Sequence, residues 1–443
     1  MSKVKHIAEF GTIWNGKDFK PENPVDSFDE IYLDDRPFQC LKGFVTENND
    51  IDPIFSFHRK KGKDFIRVKN HVGIIETRQG TVIEILPKIY RATEKNDGSE
   101  VSYAKSVLLQ MLRTLRNSPF RCIDQAHLHT SKMPLIEIFI TVFLDEIEKL
   151  VKRGIKHYYS TQSGNQLFLK GKLQFNENIK YNAAHREQFF VQFDEFKTDI
   201  PQNRILKATL IYLKSKSRSS KNISLINGFI HLFDDVSICS NLDHDLIQIN
   251  GNNRLFTHYD MALRWAKVFL LGQSFTSFKG KHLNTAILFP MEVLFESYVA
   301  YKLKQQHPEW NISVQERKHH LVTDLNYNEE KRFHIRPDMV IETDTETIVA
   351  DTKWKIIDEN KPRNNYEISQ ADMYQLFAYG KKYGVSNLIL IYPFSKSFTK
   401  LIPFDFGGST EGDSGMKLRC FPWNFEDITN NVTIQSLLFN SLL

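Results

Sequence analysis

Asp338, Asp351 and Lys353 lie within the run RPDMVIETDTETIVADTKWK, residues 336–355, whose Val, Ile and Trp side chains otherwise describe a buried pair of strands. Pairing residues 336–343 with 346–356 about Asp344 and Thr345 sets Asp338 opposite Asp351. Strand side chains alternate between faces, so Asp351 and Lys353 share one face while Thr352 and Trp354 take the other. Two carboxylates facing each other across a hairpin repel unless a cation compensates them. A divalent ion such as Mg²⁺ does so, because it binds through one or two carboxylates and keeps positions for water and phosphate. Such an ion acidifies a bound water and neutralises charge on a phosphodiester, while a lysine beside it can position the water or stabilise the transition state. The same three residues are also compatible with a solvated strand face, since Asp and Lys two apart form a weak motif.

The neighbouring elements bear on that choice. In SQADMYQLFAYGKKYG a helix begins after Ser369, a natural N-cap, with Asp372 in its first turn and Gln375 and Tyr379 four residues apart on one face. Upstream, FPMEVLFESYVAYKL places Glu292 and Glu296 on one face of a helix over 291–305. Glu296 can add a third carboxylate; taken singly it is equally a salt-bridge partner for Lys302, and Gln375 and Tyr379 are ordinary helix-surface groups. With a strand over 311–317 and another over 387–393, the order is helix, three strands, helix, strand. That order describes an α/β layer.

Before this region, residues 3–90 alternate short apolar runs with turns, Gly73 and Gly80 among them, and read as an all-β module. A polar loop over 91–100 leads to a helix over 101–117, and a second helix over 135–152 carries Ile136, Ile140, Phe143, Leu144, Ile147 and Val151 as a stripe. A hairpin with polar loops is expected within 158–203, then a helix from about Asn203. The lysine- and serine-rich run 212–224 reads as a solvated loop, with phosphate contact as the alternative.

A chain of 443 residues exceeds what one hydrophobic core usually organises. The expected division is a β-rich module at 1–95, a mixed helical region at 96–280 and an α/β domain at 281–443. A net charge of +5 permits a nucleic-acid partner without requiring one. Cys40, Cys122, Cys239 and Cys420 are too dispersed for a zinc site or a disulfide framework, which fits a reducing cytoplasm. No apolar stretch reaches the ~20 residues of a membrane span, so no membrane association is expected.

Pro337-Asp338, Asp351-Thr352-Lys353, the preceding helical glutamate and the following QxxxY helix resemble the PD-(D/E)xK nuclease superfamily. IRPDMVI, ADTKWK, LFESYV, LKGKLQF, FDEFKTDIPQNRILK and GIIETRQGTVIEILPKI resemble McrC more specifically, the nuclease subunit of McrBC modification-dependent restriction systems. The resemblance implies an α+β multidomain chain ending in a restriction-endonuclease-like domain with an αβββαβ core. It makes Asp338 and Asp351 Mg²⁺ ligands (Mn²⁺ a substitute), Lys353 the catalytic lysine, Glu296 the helical acidic residue, and Gln375 with Tyr379 the supporting motif. It further implies cleavage of double-stranded DNA carrying modified cytosine, as a defence against foreign DNA, and association with a hexameric McrB-like AAA+ GTPase whose GTP hydrolysis the chain stimulates through its N-terminal module. Consistently, no GxxxxGK[ST] loop occurs here, so GTP would be used by the partner. Two alternatives stand beside this reading: a catalytically inactive DNA-binding, ring-activating adaptor, and a stand-alone Mg²⁺-dependent DNA nuclease. Intact Asp338, Asp351 and Lys353 weigh against the first, and the large portion outside the nuclease domain against the second.

Overall fold

Alternating apolar runs and glycine turns near the N-terminus do form strands: β1 (Val4–Ala8), β2 (Thr12–Asn15), β3 (Glu30–Leu33), β4 (Phe55–Lys60), β5 (Lys63–Val68), β6 (His71–Thr77) and β7 (Val82–Leu86). The computed structural model describes residues 4–19, 24–48, 54–89, 100–116, 118–124, 133–249, 254–271, 283–327, 329–407 and 415–426. The expected domain boundaries at 95/96 and 280/281, and most of the expected loop at 91–100, lie outside these. The chain divides into two compact units, Met1–Lys132 with Ser274–Leu443, and Met133–Gln273.

The N-terminal module is not all-β. Helix α1 (Asp35–Glu47) interrupts it, burying Phe38, Leu41, Phe44 and Val45 along one face. These residues recur at three- and four-residue intervals, a helical period hidden in a short segment. Strands β3-β2-β5-β4 form one sheet and β1-β7-β6 begin another. Helix α2 (Glu100–Thr114) is tied to β7 by a buried ion pair, Lys105 Nζ to Glu84 Oε2 at 2.8 Å.

The second unit contains α3 (Leu135–Arg153), β8 (Tyr158–Gln166), β9 (Lys172–Leu173), α4 (Phe175–Asn182), β10 (Phe189–Lys197), α5 (Pro201–Lys216), α6 (Ser220–His231), α7 (Leu242–Ile249) and α8 (Asp260–Leu271). The expected hairpin is β8 with β10. The run 212–224 is not a loop: α5 and α6 occupy most of it, and the link between them is drawn inward by buried Glu137. Glu137 accepts from the Ser217 hydroxyl at 2.8 Å and from the Ser219 amide at 3.2 Å. A buried carboxylate requires such donors, and these residues supply them.

The first unit then resumes with β11 (Leu283–Pro290), which pairs antiparallel with β6 and completes the order β1-β7-β6-β11. Gly73 lies at this seam with φ +137°; a Cβ there would stand 2.0 Å from the Ile287 carbonyl oxygen, so only glycine admits the partner strand. Helix α9 (Met291–Gln306) follows directly, then β12 (Asn311–Val314), a hairpin of β13 (His320–Asp324) and β14 (Glu330–His334), β15 (Met339–Glu342), β16 (Thr347–Thr352), α10 (Gln370–Tyr383), β17 (Asn387–Pro393), β18 (Ile402–Asp405) and β19 (Lys417–Trp423). The principal sheet runs β12-β15-β16-β17-β19-β18. Thus the expected order of helix, three strands, helix, strand is present, with the β13/β14 hairpin inserted and two strands added at the far edge.

β15 pairs with β16 in the expected register, Met339 opposite Ala350 and Glu342 opposite Thr347, and the turn closes through Thr343 N–H to the Glu346 carbonyl at 2.9 Å. Regular pairing is shorter than expected, leaving Asp338 just ahead of β15. α10 crosses over from β16 to the parallel strand β17. Both strands are almost wholly buried because both faces are covered; Val340, Val349, Leu376, Leu388 and Leu390 share one core. Among the described residues, no helix is long and apolar enough to cross a membrane.

Candidate active site

The site begins where the β15/β16 pairing ends. Asp351 is the penultimate residue of β16 and is 1 % exposed, although the strand around it is apolar. Lys353, just beyond the strand, keeps its amide bonded to the Ile391 carbonyl at 2.9 Å and donates from Nζ to Asp351 Oδ2 at 2.5 Å. Its alternation with Thr352 places the Thr352 hydroxyl elsewhere. That hydroxyl and the Thr352 amide both donate to Asp338 Oδ2 at 2.7 Å, which fixes the second carboxylate.

The Pro337–Asp338 segment is held from a third side. Gln375 Nε2 donates to the Tyr379 hydroxyl at 2.6 Å, which donates to the Arg336 carbonyl at 3.1 Å. The two α10 residues paired by sequence spacing therefore form a latch on the backbone preceding Asp338. Sequence reasoning did not single out Gln315. Its backbone, at φ +55°, is in the left-handed region that side chains other than glycine seldom adopt. The Gln315 amide donates to the Asp338 carbonyl at 3.0 Å, and its side chain bonds the Glu296 carboxyl. Gln315 thereby joins α9 to the Asp338 segment.

The charges are coupled. Burial, then the neighbouring Asp338 charge, pushes the Asp351 carboxyl up to about 6, against the Lys353 ammonium and the Asp338 amide. Burial also raises Asp338, opposed by the two Thr352 bonds and by Lys353 and Arg336. Glu296 is pushed up to about 7 by burial and then by Asp338, with Gln315 and Arg336 pulling the other way. Burial disfavours the Lys353 ammonium, but Asp351 and Asp338 outweigh it and keep the charged form. The six residues Glu296, Asp338, Asp351, Lys353, Gln375 and Tyr379 are thus connected by bonds or fields within one unit.

Among the described residues, no group of three or more His, Cys, Asp and Glu side chains gathers closely enough to hold an ion. Two buried, mutually repelling carboxylates suit Mg²⁺ nonetheless, because Mg²⁺ retains waters and needs only one or two protein carboxylates. Lys353 presently neutralises the Asp351 oxygen that such an ion would share.

A further contact fixes the end of the strand. Trp354 Nε1 donates to Glu9 Oε1 at 2.8 Å, an oxygen that also accepts the Lys88 amide at 3.0 Å. Burial pushes the Glu9 carboxyl up to about 8, with Lys88 and Trp354 opposing. Trp354 packs against Phe295, the neighbour of Glu296, with ring centroids 5.1 Å apart. The N-terminal sheet is thereby joined to both carriers of acidic residues.

No curated protein matches the chain. Among solved structures, a chain in a half-complex from a tetradecameric assembly of Thermococcus gammatolerans McrB AAA+ hexamers with bound McrC has a TM-score of 0.66 at 18% identity, covering 95% of this chain and 94% of that one. A chain in the cryo-EM structure of the Thermococcus gammatolerans McrBC complex has a TM-score of 0.50 at 16% identity, covering 69% of this chain and 88% of that one. These similarities concern the fold. The family described as McrBC 5-methylcytosine restriction system component matches residues 66–393, a span that includes every residue of the site except Glu9, and the chain belongs to that family.

Proposed function

We propose that the chain is the nuclease subunit of a modification-dependent restriction system, of the McrC type, and that it hydrolyses DNA phosphodiesters at Asp338, Asp351 and Lys353. The observation that carries this reading is the pair of buried, coupled carboxylates with Lys353 bonded to Asp351. A strand end gains no stability from such a pair, whereas metal-assisted phosphodiester hydrolysis puts it to use.

Asp338 and Asp351 would hold Mg²⁺, which supplies charge neutralisation and a more acidic water. The protein's own contribution is orientation and charge. Thr352 fixes the Asp338 carboxylate, and the Gln375–Tyr379 latch fixes the backbone that carries it. Lys353, kept as an ammonium, can donate to a phosphate oxygen as negative charge develops there. Glu296, near neutrality in its affinity for a proton, can exchange one with the solvent side of the site. The PD-(D/E)xK assignment rests on this arrangement together with the strand order around it.

Family membership and the neighbours' assembly support an McrB-like AAA+ hexamer as partner; in this reading the N-terminal module engages it and the partner, not this chain, uses GTP. The expected substrate is double-stranded DNA carrying modified cytosine. The test combines the chain with its partner GTPase, methylated DNA, GTP and Mg²⁺. Asp351→Ala is expected to abolish cleavage while leaving partner association and GTPase stimulation intact; undiminished cleavage by this variant would overturn the assignment.

A further inference from the structure

α9 carries Glu296 on a face that continues through Ser297, Ala300, Tyr301 and Lys304, and this face forms one wall of a cleft of about 620 Å³. The opposite wall comes from the end of α2 and the turn after it, with Arg113, Arg116 and Arg121; Gln315 lies in the lining beside Glu296. All of these residues belong to the same compact unit.

The cationic groups lack the partners that surface cations usually find. Among the described residues, Arg113, Arg116, Arg121 and Lys304 form no ion pair with a carboxylate. They instead crowd one another: burial and then Arg116 lower the proton affinity of Lys304, and burial and then Arg113 do so for neighbouring Lys302. Convergent like charges around a concavity are unfavourable in isolation and become favourable when a polyanion enters. The geometry suits an extended one. From Glu296 to Lys304 the helix advances about 12 Å, the axial rise of three to four nucleotides of one strand at about 3.4 Å each. Ser297 and Ala300 between them present little bulk, so a backbone can approach the helix. Glu296 lies in the cleft lining, and its carboxyl feels the Asp338 charge and is bonded to Gln315, so a strand lying in the cleft would pass beside the acidic pair.

We infer that this cleft is a binding track for the phosphodiester backbone of DNA, with Arg113, Arg116, Arg121 and Lys304 contacting successive phosphates on the approach to the acidic residues. The inference rests on the nuclease reading for its direction, but its test does not depend on cleavage. Full-length protein carrying Asp351→Ala is titrated onto a fluorescent DNA duplex without divalent metal, over a series of salt concentrations. Each of Arg116→Ala, Arg121→Ala and Lys304→Ala, added to that background, is expected to weaken binding about tenfold and to lower the slope of log affinity against log salt by about one. Thermal unfolding of each variant verifies that the fold is retained, and Lys60→Ala, at the exposed end of β4 and outside the cleft, is the charge control. An unchanged slope in the cleft variants, an equal loss in the control, or no measurable DNA binding by the parent protein overturns the inference. So does competition by polyglutamate as effective as by DNA, which would assign the cleft to an acidic protein segment. Loss of slope in a protein that never cleaves DNA would support the track while refuting the nuclease reading; cleavage with unchanged slopes would do the reverse.

Discussion

Asp351→Asn should make the metal-free protein more stable. In the folded chain, burial and the Asp338 charge raise the Asp351 carboxyl from 3.8 to about 6. A shift of about two units corresponds to about 3 kcal/mol at about 1.36 kcal/mol per unit. The sign follows from which state binds the proton more tightly. Below the unfolded value both states are protonated and Asp351 contributes nothing. As pH rises from about 4 to about 7 the unfolded chain ionises first, so ionisation increasingly favours unfolding, and the penalty is complete above the folded value. Asn removes the charge while keeping an oxygen that can accept from Lys353 or from the Asp338 amide. Part of the gain is lost with the charge-assisted Lys353 bond, leaving a net increase of about 1–2 kcal/mol, or about 2–4 °C in the unfolding midpoint of a unit this size. The assay is thermal unfolding from pH 4 to 8 in chelator and again with Mg²⁺. The difference should vanish near pH 4 and reach its maximum by pH 8. Mg²⁺ should stabilise the parent protein and the variant far less, because only a ligand bound by the folded state raises stability. A variant that is less stable than the parent at pH 8 in chelator, or a difference that does not change with pH, would refute the reasoning.

Other perturbations separate the supporting interactions. Glu9→Gln retains an acceptor for Trp354 and removes a carboxyl raised from 4.5 to about 8, so in urea unfolding parent and variant should match near pH 4, diverge between about pH 4.5 and pH 8 as the unfolded chain ionises first, and differ most, with the variant more stable, at pH 9.5. Thr352→Val deletes one of two donors to Asp338 while keeping the amide, which should cost about 1–2 kcal/mol and raise the Mg²⁺ concentration for half-maximal cleavage severalfold. Tyr379→Phe releases the Arg336 carbonyl and should lower the cleavage rate at saturating Mg²⁺ with a stability loss of about 1 kcal/mol; a rate equal to the parent's would remove the latch from the mechanism. Lys105→Met leaves Glu84 buried without its ammonium and should destabilise the first unit by about 3 kcal/mol in urea titration.

How much of this was legible depended on the range of the signal. The β15/β16 register followed from two-residue alternation and a tight turn, and it holds to the residue. The Gln375–Tyr379 pairing followed from helical spacing, which also placed α9 and α10 nearly to their ends. α1 was missed because four apolar residues in a short helix resemble the strand fragments around them. The run 212–224 was misjudged because composition shows its serines and basic residues but not the buried Glu137 that binds the link at 217–219. The β13/β14 hairpin has an exposed burial pattern throughout β14, which leaves little apolar periodicity to detect. Gln315, Glu9 and the arginines after α2 acquire their meaning only from partners distant along the chain. No local pattern encodes those partners.

The β6/β11 pairing has a consequence for synthesis. The N-terminal strands leave the ribosome long before β11, because the whole of Met133–Gln273 is made in between. Until then β6 keeps an unpaired edge, and unpaired edges recruit foreign strands. The intervening segment is contiguous and rich in local helical contacts, so it can fold while the earlier strands wait. A fragment ending before β11 therefore offers an open sheet edge and lacks the Trp354 donor to Glu9. Such a fragment should aggregate unless a peptide spanning Leu283–Pro290 is supplied, which makes strand complementation a route to recovering the N-terminal module separately.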